Sequence, residues 1–261
     1  MATALITGAS SGIGKAFAEE LAARNTNLVL VARSGEILNE LAEHLQEKYK
    51  IQVDTVVKDL TEIGASDAVF DAVKSKGLTI DLLINNAGFA CYGDFAESDG
   101  ERQVKIVQLN ILALVDLTHK FLHEMRQRRS GSIINVSSLT AFQPMPYISV
   151  YAASKAFIVS FSQALWAENR QYGVRVLVTC PGPVETNFFT EANFPPALAA
   201  RTNKISTSKD VVRESLKALE RGDSIVVIGG FSTHFISRLS RFVPRKTLLF
   251  ILEKQFKAKT T

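Results

Sequence analysis

The chain has 261 residues, 46% of them hydrophobic and 21% charged, with a formal net charge of +4. That length suits one large α/β domain with a sizeable core, and the composition is that of neither a disordered chain nor a membrane-spanning one. Two cysteines, Cys91 and Cys180, make no disulfide framework and fit a reducing compartment.

The charge is unevenly placed. From Phe231 onward, Arg238, Arg241, Arg245, Lys246, Lys254, Lys257 and Lys259 face one acid, Glu253, so this segment carries +6 and the rest of the chain −2. Basicity confined to a tail gives no reason to expect a nucleic-acid partner for the main domain. The first residues run straight into a strand-like segment with no charged and apolar leader pattern, so no signal peptide is expected. No apolar run approaches the roughly 20 residues of a membrane span.

Short apolar, β-rich runs predict strands at about 2–7, 27–32, 51–57, 81–84, 131–136, 174–179 and 224–228. Helical periodicity fills the gaps, as with Ile13, Phe17 and Leu21. Strands alternating with helices predict a doubly wound parallel sheet of about seven strands with helices on both faces. No linker, repeat or low-complexity segment divides the chain. We expect a single domain over 1–230 and a C-terminal helical extension over 231–261.

The first strand ends in Thr7-Gly8-Ala9-Ser10-Ser11-Gly12-Ile13-Gly14. Glycines there let the backbone turn tightly and approach a pyrophosphate, which the following helix N-terminus would hold. The spacing Gly-x-x-x-Gly-x-Gly differs from the usual Gly-x-Gly-x-x-Gly, but its place at the first strand–helix junction favours nucleotide binding. The second strand runs into Val31-Ala32-Arg33-Ser34. An NAD site usually has an acid there to hold the ribose 2′-hydroxyl. With no acid and an arginine able to pair with a 2′-phosphate, the cofactor is read as NADP(H). Lys15 is assigned to a solvated helix position.

The third strand ends at Lys58-Asp59-Leu60, where Asp59 either hydrogen-bonds the adenine edge or caps the next helix. The fourth leads into Asn85-Asn86-Ala87-Gly88, whose small pair lets a ligand come close. A helical pattern then runs from about 101 to 128, with Asn110, a poor helix former, in its middle. His119 and His123 have i,i+4 spacing but lack the further ligands of a metal site and are assigned to a solvated face; no metal is expected.

The fifth strand delivers Ser137 and Ser138 at its C-terminal end, where open α/β sheets place ligand chemistry. Tyr151 and Lys155 open the next helix on one face. A phenol titrates at roughly 10 when unperturbed, and a nearby ammonium lowers that value, so we expect Lys155 to tune Tyr151 toward useful acid–base strength. Ser138 would donate a hydrogen bond to a carbonyl oxygen and Tyr151 would supply the proton. After the sixth strand, Cys180-Pro181-Gly182-Pro183-Val184-Glu185-Thr186 forms a rigid turn suited to the nicotinamide end of a cofactor.

With these residues in order, the chain resembles the short-chain dehydrogenase/reductase family over roughly residues 2–230. The carriers are Thr7-Gly8-x3-Gly12-x-Gly14, Asp59, Asn85-Asn86-Ala87-Gly88, Asn110, Ser138, Tyr151-x3-Lys155, and Pro181-Gly182 with Thr186. The resemblance implies a Rossmann-like fold and a catalytic set of Asn110, Ser138, Tyr151 and Lys155, with Asn110 relaying protons through water to Lys155. It implies a cofactor cleft built from Gly8, Ser10, Ser11, Gly12, Ile13, Gly14, Arg33, Ser34, Asp59, Leu60, Asn86, Ala87, Gly88, Tyr151, Lys155, Pro181, Gly182, Val184 and Thr186. It further implies hydride chemistry on a carbonyl/alcohol pair and a homodimer or homotetramer paired through the helices at about 101–128 and 151–171.

Two segments depart from common members. Residues 187–207, where the family places a mobile lid, are apolar here, and Phe188 and Phe189 join Ser138 and Tyr151 as expected substrate contacts. The tail 231–261 places Phe231, Phe235, Leu239 and Phe242 at helical spacing, is interrupted at Pro244, and resumes with Leu248, Leu249, Ile251, Leu252 and Phe256. The alternatives are a membrane-surface helix pair, a subunit contact, a flap packed over the substrate cleft and extra core helices; we expect a packed or dimer element first and a peripheral membrane contact second. The resulting reading is a cytoplasmic NADP(H)-dependent oxidoreductase that reduces an apolar ketone or aldehyde: a 3-oxoacyl, steroid-like or long-chain compound. The alternative is a catalytically idle NADP(H)-binding sensor or scaffold.

Overall fold

The computed structural model describes residues 1–199, 206–230 and 243–257. Seven parallel strands form one sheet in the order β3-β2-β1-β4-β5-β6-β7. They are β1 (Thr3–Thr7), β2 (Asn27–Ala32), β3 (Val53–Val57), β4 (Leu82–Asn85), β5 (Gly131–Val136), β6 (Val174–Pro181) and β7 (Ile225–Ile228). All seven lie where the apolar runs predict them. The sheet face alternates along each strand, as its period of two requires. Ala4, Ile6, Leu28, Leu30, Ile84 and Ile134 point into one core layer, whereas Leu5, Val29, Val31, Leu83 and Ile133 point into the other.

The first layer is closed by α1 (Gly12–Ala23), α2 (Gly35–Tyr49) and a helix at Ser208–Arg221, through residues including Phe17, Leu38 and Leu216. The opposite layer is closed by α3 (Ala65–Ser75), α5 (Leu114–Gln127) and α6 (Ser149–Asn169), with Val69, Phe121 and Leu165 buried against the sheet. Both faces are therefore dry, which is why the strands read as near-continuous apolar runs.

The helix expected over 101–128 is not one regular helix. It begins as α4 (Gly100–Val107), widens into a π-helical turn at Gln108–Ala113, and continues as α5. Asn110 sits in the widened turn, and such insertions recur at functional sites. Short helices α7 (Phe188–Glu191) and α8 (Pro196–Ala199) follow β6, then α9 (Ser208–Arg221), and α10 (Arg245–Phe256) ends the described chain. The helical spacing read at Phe231, Phe235, Leu239 and Phe242 lies outside the described residues, as do 200–205 of the apolar lid segment.

The strand order positions the site. From β1 the chain steps to β2 and β3 on one side, then crosses back to place β4 on the other. The register aligns Thr7 with Val31, Asn85 with Asn135 and Val136 with Thr179. The carboxyl ends of β1, β4, β5 and β6 thus share one edge, and a crevice opens there at the switch point.

Candidate active site

The glycine turn is a close-approach cradle. Gly8 has φ +65° and Gly12 φ +54°, left-handed values that L side chains rarely take. A Cβ on Gly14 would lie 2.2 Å from the Gly8 carbonyl oxygen, and one on Gly12 would lie 3.1 Å from Thr186 Cγ2. No side chain caps the N-terminus of α1 at Ser11, and its first turn holds no acid. The helix therefore presents open N–H groups and its positive end to the crevice, which fits an anionic pyrophosphate.

The Asn86 Nδ2 donates to the carbonyls of Thr7 at 2.9 Å and Gly8 at 3.2 Å, tying the end of β4 to the turn. The Thr7 hydroxyl accepts from the backbone N–H groups of Asn86 and Ala87, each at 3.0 Å. No spacing argument assigns Thr7 this role; a hydroxyl just before a glycine turn is the available signal. Beneath it, Asn85 Nδ2 donates to Asn135 Oδ1 and Thr118 Oγ1, and Asn135 Nδ2 to Ser162 Oγ, all at 2.9 Å. These buried bonds cross-brace β4, β5, α5 and α6, leaving Asn85 Oδ1 buried with no hydrogen-bond partner among the described residues.

At the other end of the crevice, Arg33 follows β2 with its side chain 71% exposed, its Nη1 4.0 Å from Asp59 Oδ2. Asp59 Oδ1 accepts from the Thr61 N–H at 2.9 Å and its hydroxyl at 2.8 Å. Burial opposes the charge on Asp59, but the Thr61 hydrogen bonds, with Arg33 and Lys105, hold its carboxyl below the usual range. Leu60 is buried in the core layer of Val29 and Val31, so only its backbone is offered to the crevice. Ser34 precedes α2 without capping it, and Ser10 is half-buried in the turn.

Ser138, Tyr151 and Lys155 converge from β5 and the first turns of α6. The Ser138 hydroxyl accepts from the Thr140 N–H at 3.2 Å and lies close enough to the Tyr151 hydroxyl to favour its ionised form. Lys155 Nζ stands 5.6 Å from the centre of the Tyr151 ring and donates to the Val136 carbonyl at 2.9 Å. Ser137 does not face the crevice; its hydroxyl donates to the Lys155 carbonyl at 2.8 Å and holds α6 to β5. Asn110 Nδ2 donates to Ser154 Oγ at 3.0 Å and to the Phe89 carbonyl at 3.2 Å, while its Oδ1 accepts from the Phe89 N–H at 3.2 Å. A Cβ on Gly88 would meet Asn110 Oδ1 at 2.9 Å and Lys155 Nζ at 3.4 Å. Glycine there lets amide and ammonium approach one another without touching.

Electrostatics depart from the expectation for Tyr151. Burial pushes its phenol up to about 12, and the Ser138 hydrogen bond opposes this only in part. Burial also pushes Lys155 down to about 8. The expected lowering by the ammonium is not among the causes acting on Tyr151; burial and the Ser138 hydroxyl set its value.

On the cofactor's far side, Gly182 N–H donates to the Ile228 carbonyl at 2.8 Å, and Pro181 ends β6. Val184 and Ile13 pack in a small cluster with Val211 and Ile228, so these two brace the cradle from behind. Thr186 Oγ1 accepts from the Phe188 N–H at 3.3 Å.

Tyr151, only 7% exposed, lies in a chamber filled by apolar side chains. These are Ala90, Tyr92, Met145, Ile148, Ala192, Phe188 and Phe194, with Leu248, Leu252 and Phe256 of α10. The Phe188 ring centre lies 5.2 Å from that of Tyr151, and Phe189 packs edge-on against Phe188 and Phe194. The lid is pinned by Arg102 donating to the Glu191 carbonyl at 2.6 Å and by Tyr92 N–H donating to the Ala192 carbonyl at 2.9 Å. The Tyr92 hydroxyl donates to the Phe256 carbonyl at 2.5 Å. The sequence contains no local signal for Tyr92 or Met145; the apolar stripe of α10 is legible as a packing face, but not the distant segments it packs against. His119 and His123 face solvent.

Comparison with known proteins agrees with this geometry. The short chain dehydrogenase family model matches residues 2–195. Mouse 17-beta-hydroxysteroid dehydrogenase type 3 is 36% identical over 84% of this chain and 69% of its own length. Bovine very-long-chain 3-oxoacyl-CoA reductase is 35% identical over 70% of this chain but only 59% of its own. Among solved structures, a short-chain dehydrogenase from Sphingobium yanoikuyae in complex with NADPH superposes with TM-score 0.83 at 29% identity, covering 100% of this chain and 98% of that one. A 7beta-hydroxysteroid dehydrogenase reaches TM-score 0.86 at 26% identity, with 96% of each chain covered. A glycine cradle, a switch-point crevice and a Ser–Tyr–Lys cluster, matched along three quarters of the sequence, place this chain in the short-chain dehydrogenase/reductase family of oxidoreductases acting on CH–OH groups.

Proposed function

We propose that the protein uses NADP(H) to reduce an apolar ketone or aldehyde to the alcohol, the substrate being of the steroid-like, 3-oxoacyl or long-chain class. The observation that carries this reading is the apolar packing around Tyr151: beside Ser138, its ring is enclosed by Phe188, Phe194, Met145 and Ile148. The named activities of the relatives, on steroids and 3-oxoacyl chains, support an apolar substrate.

The nicotinamide, when bound, supplies the hydride. Everything else falls to side chains of this chain. Ser138 orients the carbonyl by donating to its oxygen. Tyr151, kept protonated by a value of about 12, is the proton donor to the oxygen that gains charge, a stronger base than the phenolate. Lys155, Tyr151 and Thr186 hold the nicotinamide end. Asn110 keeps the widened helix open beside Lys155, so that protons lost from Tyr151 are replaced from solvent. The Phe188–Phe194 lid excludes water.

Arg33 supports the choice of NADP(H). A guanidinium that is largely exposed and only loosely paired with Asp59 is available to a 2′-phosphate, and the end of β2 reads Val31-Ala32-Arg33-Ser34, with no acid there to hold a free 2′-hydroxyl. The neighbouring Sphingobium structure contains NADPH. We place the enzyme in the cytoplasm as a homodimer or homotetramer; exposed Val104, Leu112 and Phe157 on α4, the π-turn and α6 support pairing through those helices.

The test is turnover by the purified protein with NADPH and NADH offered separately against a panel of cyclic ketones, 3-oxoacyl thioesters and apolar aldehydes. The expected outcome is turnover of at least one apolar carbonyl, with NADPH preferred at least tenfold in kcat/KM. Equal use of both cofactors would remove the Arg33 assignment. NADPH binding without turnover of any class would favour the sensor reading.

A further inference from the structure

The chamber's outermost wall is α10. Its inner stripe, Leu248, Leu252 and Phe256, repeats at four-residue spacing and packs into the cluster containing Tyr151, with Leu252 only 5% exposed. The remaining apolar residues of this helix face away from the protein. Leu249 is 38% exposed, Phe250 69% and Ile251 56%. A second stripe, Lys246, Phe250, Lys254 and Lys257, also lies along one helical face, and its three lysines are exposed. Over 245–257 there are four basic residues and one acid, Glu253.

We propose that α10 is an interfacial lid: its outer face seats on an anionic lipid surface, and lifting it there opens the chamber to substrate partitioned in the lipid. Three observations converge on this occupant. An exposed phenylalanine ringed by lysines complements an anionic interface, with the ring entering the acyl boundary and the ammonium groups meeting the headgroups. The helix packs on the cluster that buries Tyr151 to 7% exposure, so moving it would open a way to the hydroxyls. Lifting α10 in water would expose Leu248, Leu252 and Phe256, whereas at a bilayer surface those side chains stay in an apolar medium. The latch would be the hydrogen bond from the Tyr92 hydroxyl to the Phe256 carbonyl together with the apolar stripe. Among the described residues no helix is long and apolar enough to cross a membrane; α10, 12 residues long with a basic, apolar outer face, suits a contact along the bilayer surface. The docking claim stands without any reaction; the delivery claim rests on the apolar-carbonyl reading.

The docking test is flotation of the full-length protein with vesicles of phosphatidylcholine alone and with about one third phosphatidylglycerol. The protein should float with the anionic vesicles and not with the neutral ones. Phe250→Ser with Ile251→Ser should abolish flotation. Lys254→Gln with Lys257→Gln should lower partitioning about 30-fold, from roughly fivefold per charge. Both double variants keep the inner stripe, so their circular dichroism and NADPH binding should match wild type. Absence of wild-type flotation would overturn the proposal, as would equal flotation of the Phe250/Ile251 variant. If that variant instead falls from a larger assembly to a smaller one on gel filtration, the face belongs to a second copy of the chain and the proposal also fails. For delivery, anionic vesicles should raise turnover of a long-chain ketone severalfold in wild type but not in the Phe250/Ile251 variant. Flotation without such stimulation would leave docking intact and overturn the lid. Flotation with no turnover of any carbonyl would instead count against the enzymatic reading.

Discussion

Lys155 is almost wholly withdrawn from water, at 5% exposure, and that has a measurable consequence for stability. Its value falls from an ordinary 10.5 to about 8 because burial penalises the charge. Between those two values the unfolded chain binds a proton that the folded chain does not, so stability should rise with pH across this window. The cost of charging Lys155 is fully present below about pH 8 and is relieved toward pH 10.5. With linkage applied to that shift, folding should gain about 2 kcal/mol from this one group between about pH 7 and about pH 9.5. Lys155→Met removes the titration while roughly keeping the volume. The variant leaves the Val136 carbonyl without the donor it has at 2.9 Å, a loss of about 1–3 kcal/mol, so absolute stability at a single pH is a poor readout. The difference between variant and wild type is the better one, because titrations elsewhere cancel. Urea unfolding of both proteins, without added cofactor, at the two pH values and one protein concentration, should show wild type gaining about 2 kcal/mol more than Lys155→Met. An equal change in both would show that the ammonium is hydrated in solution and would refute the desolvation argument for the whole cluster.

Tyr151→Phe should lower kcat by a factor of about 10² or more while NADPH still binds, read by cofactor fluorescence; unaltered turnover would remove Tyr151 as the proton donor. Tyr151 itself should make stability fall between its ordinary 10 and its folded value of about 12, since there the folded chain keeps a proton the unfolded one has lost; pH-dependent unfolding of wild type against Tyr151→Phe reads this directly. Arg33→Asp should weaken NADPH binding at least tenfold and leave NADH binding nearly unchanged, and equal loss of both would sink the 2′-phosphate assignment. Gly14→Ala would place a methyl 2.2 Å from the Gly8 carbonyl oxygen; relieving that clash should cost on the order of 1–3 kcal/mol in stability and abolish cofactor binding by titration, whereas a variant that binds normally would show the cradle to be looser than its geometry.

Much of this protein is local and is therefore legible in the order of its residues. Seven strands follow from apolar runs whose length and β-branched content leave little choice, because a sheet covered on both faces must be apolar on both. The glycine turn follows from positions where the backbone itself must come close, as Gly14 does to Gly8. Tyr151 and Lys155 sharing a face follows from helical repeat alone. What the residues could not decide was set by distance in sequence. The widened turn that carries Asn110 depends on Ser154 and Phe89, 44 and 21 residues away along the chain. The strength of Tyr151 as an acid cannot be read from its neighbour four residues on, because burial by everything packed around it sets the shift. The chamber brings residues 90–92, 145–152, 188–194 and 248–256 together, and no periodicity links those segments. Sequence by itself determined the sheet, the turn and the family of side chains at its edge, since each depends on a few adjacent residues. Only the tertiary structure decided how deeply the catalytic groups are buried and that the C-terminal helix closes over them, since desolvation and packing are properties of everything that surrounds a group.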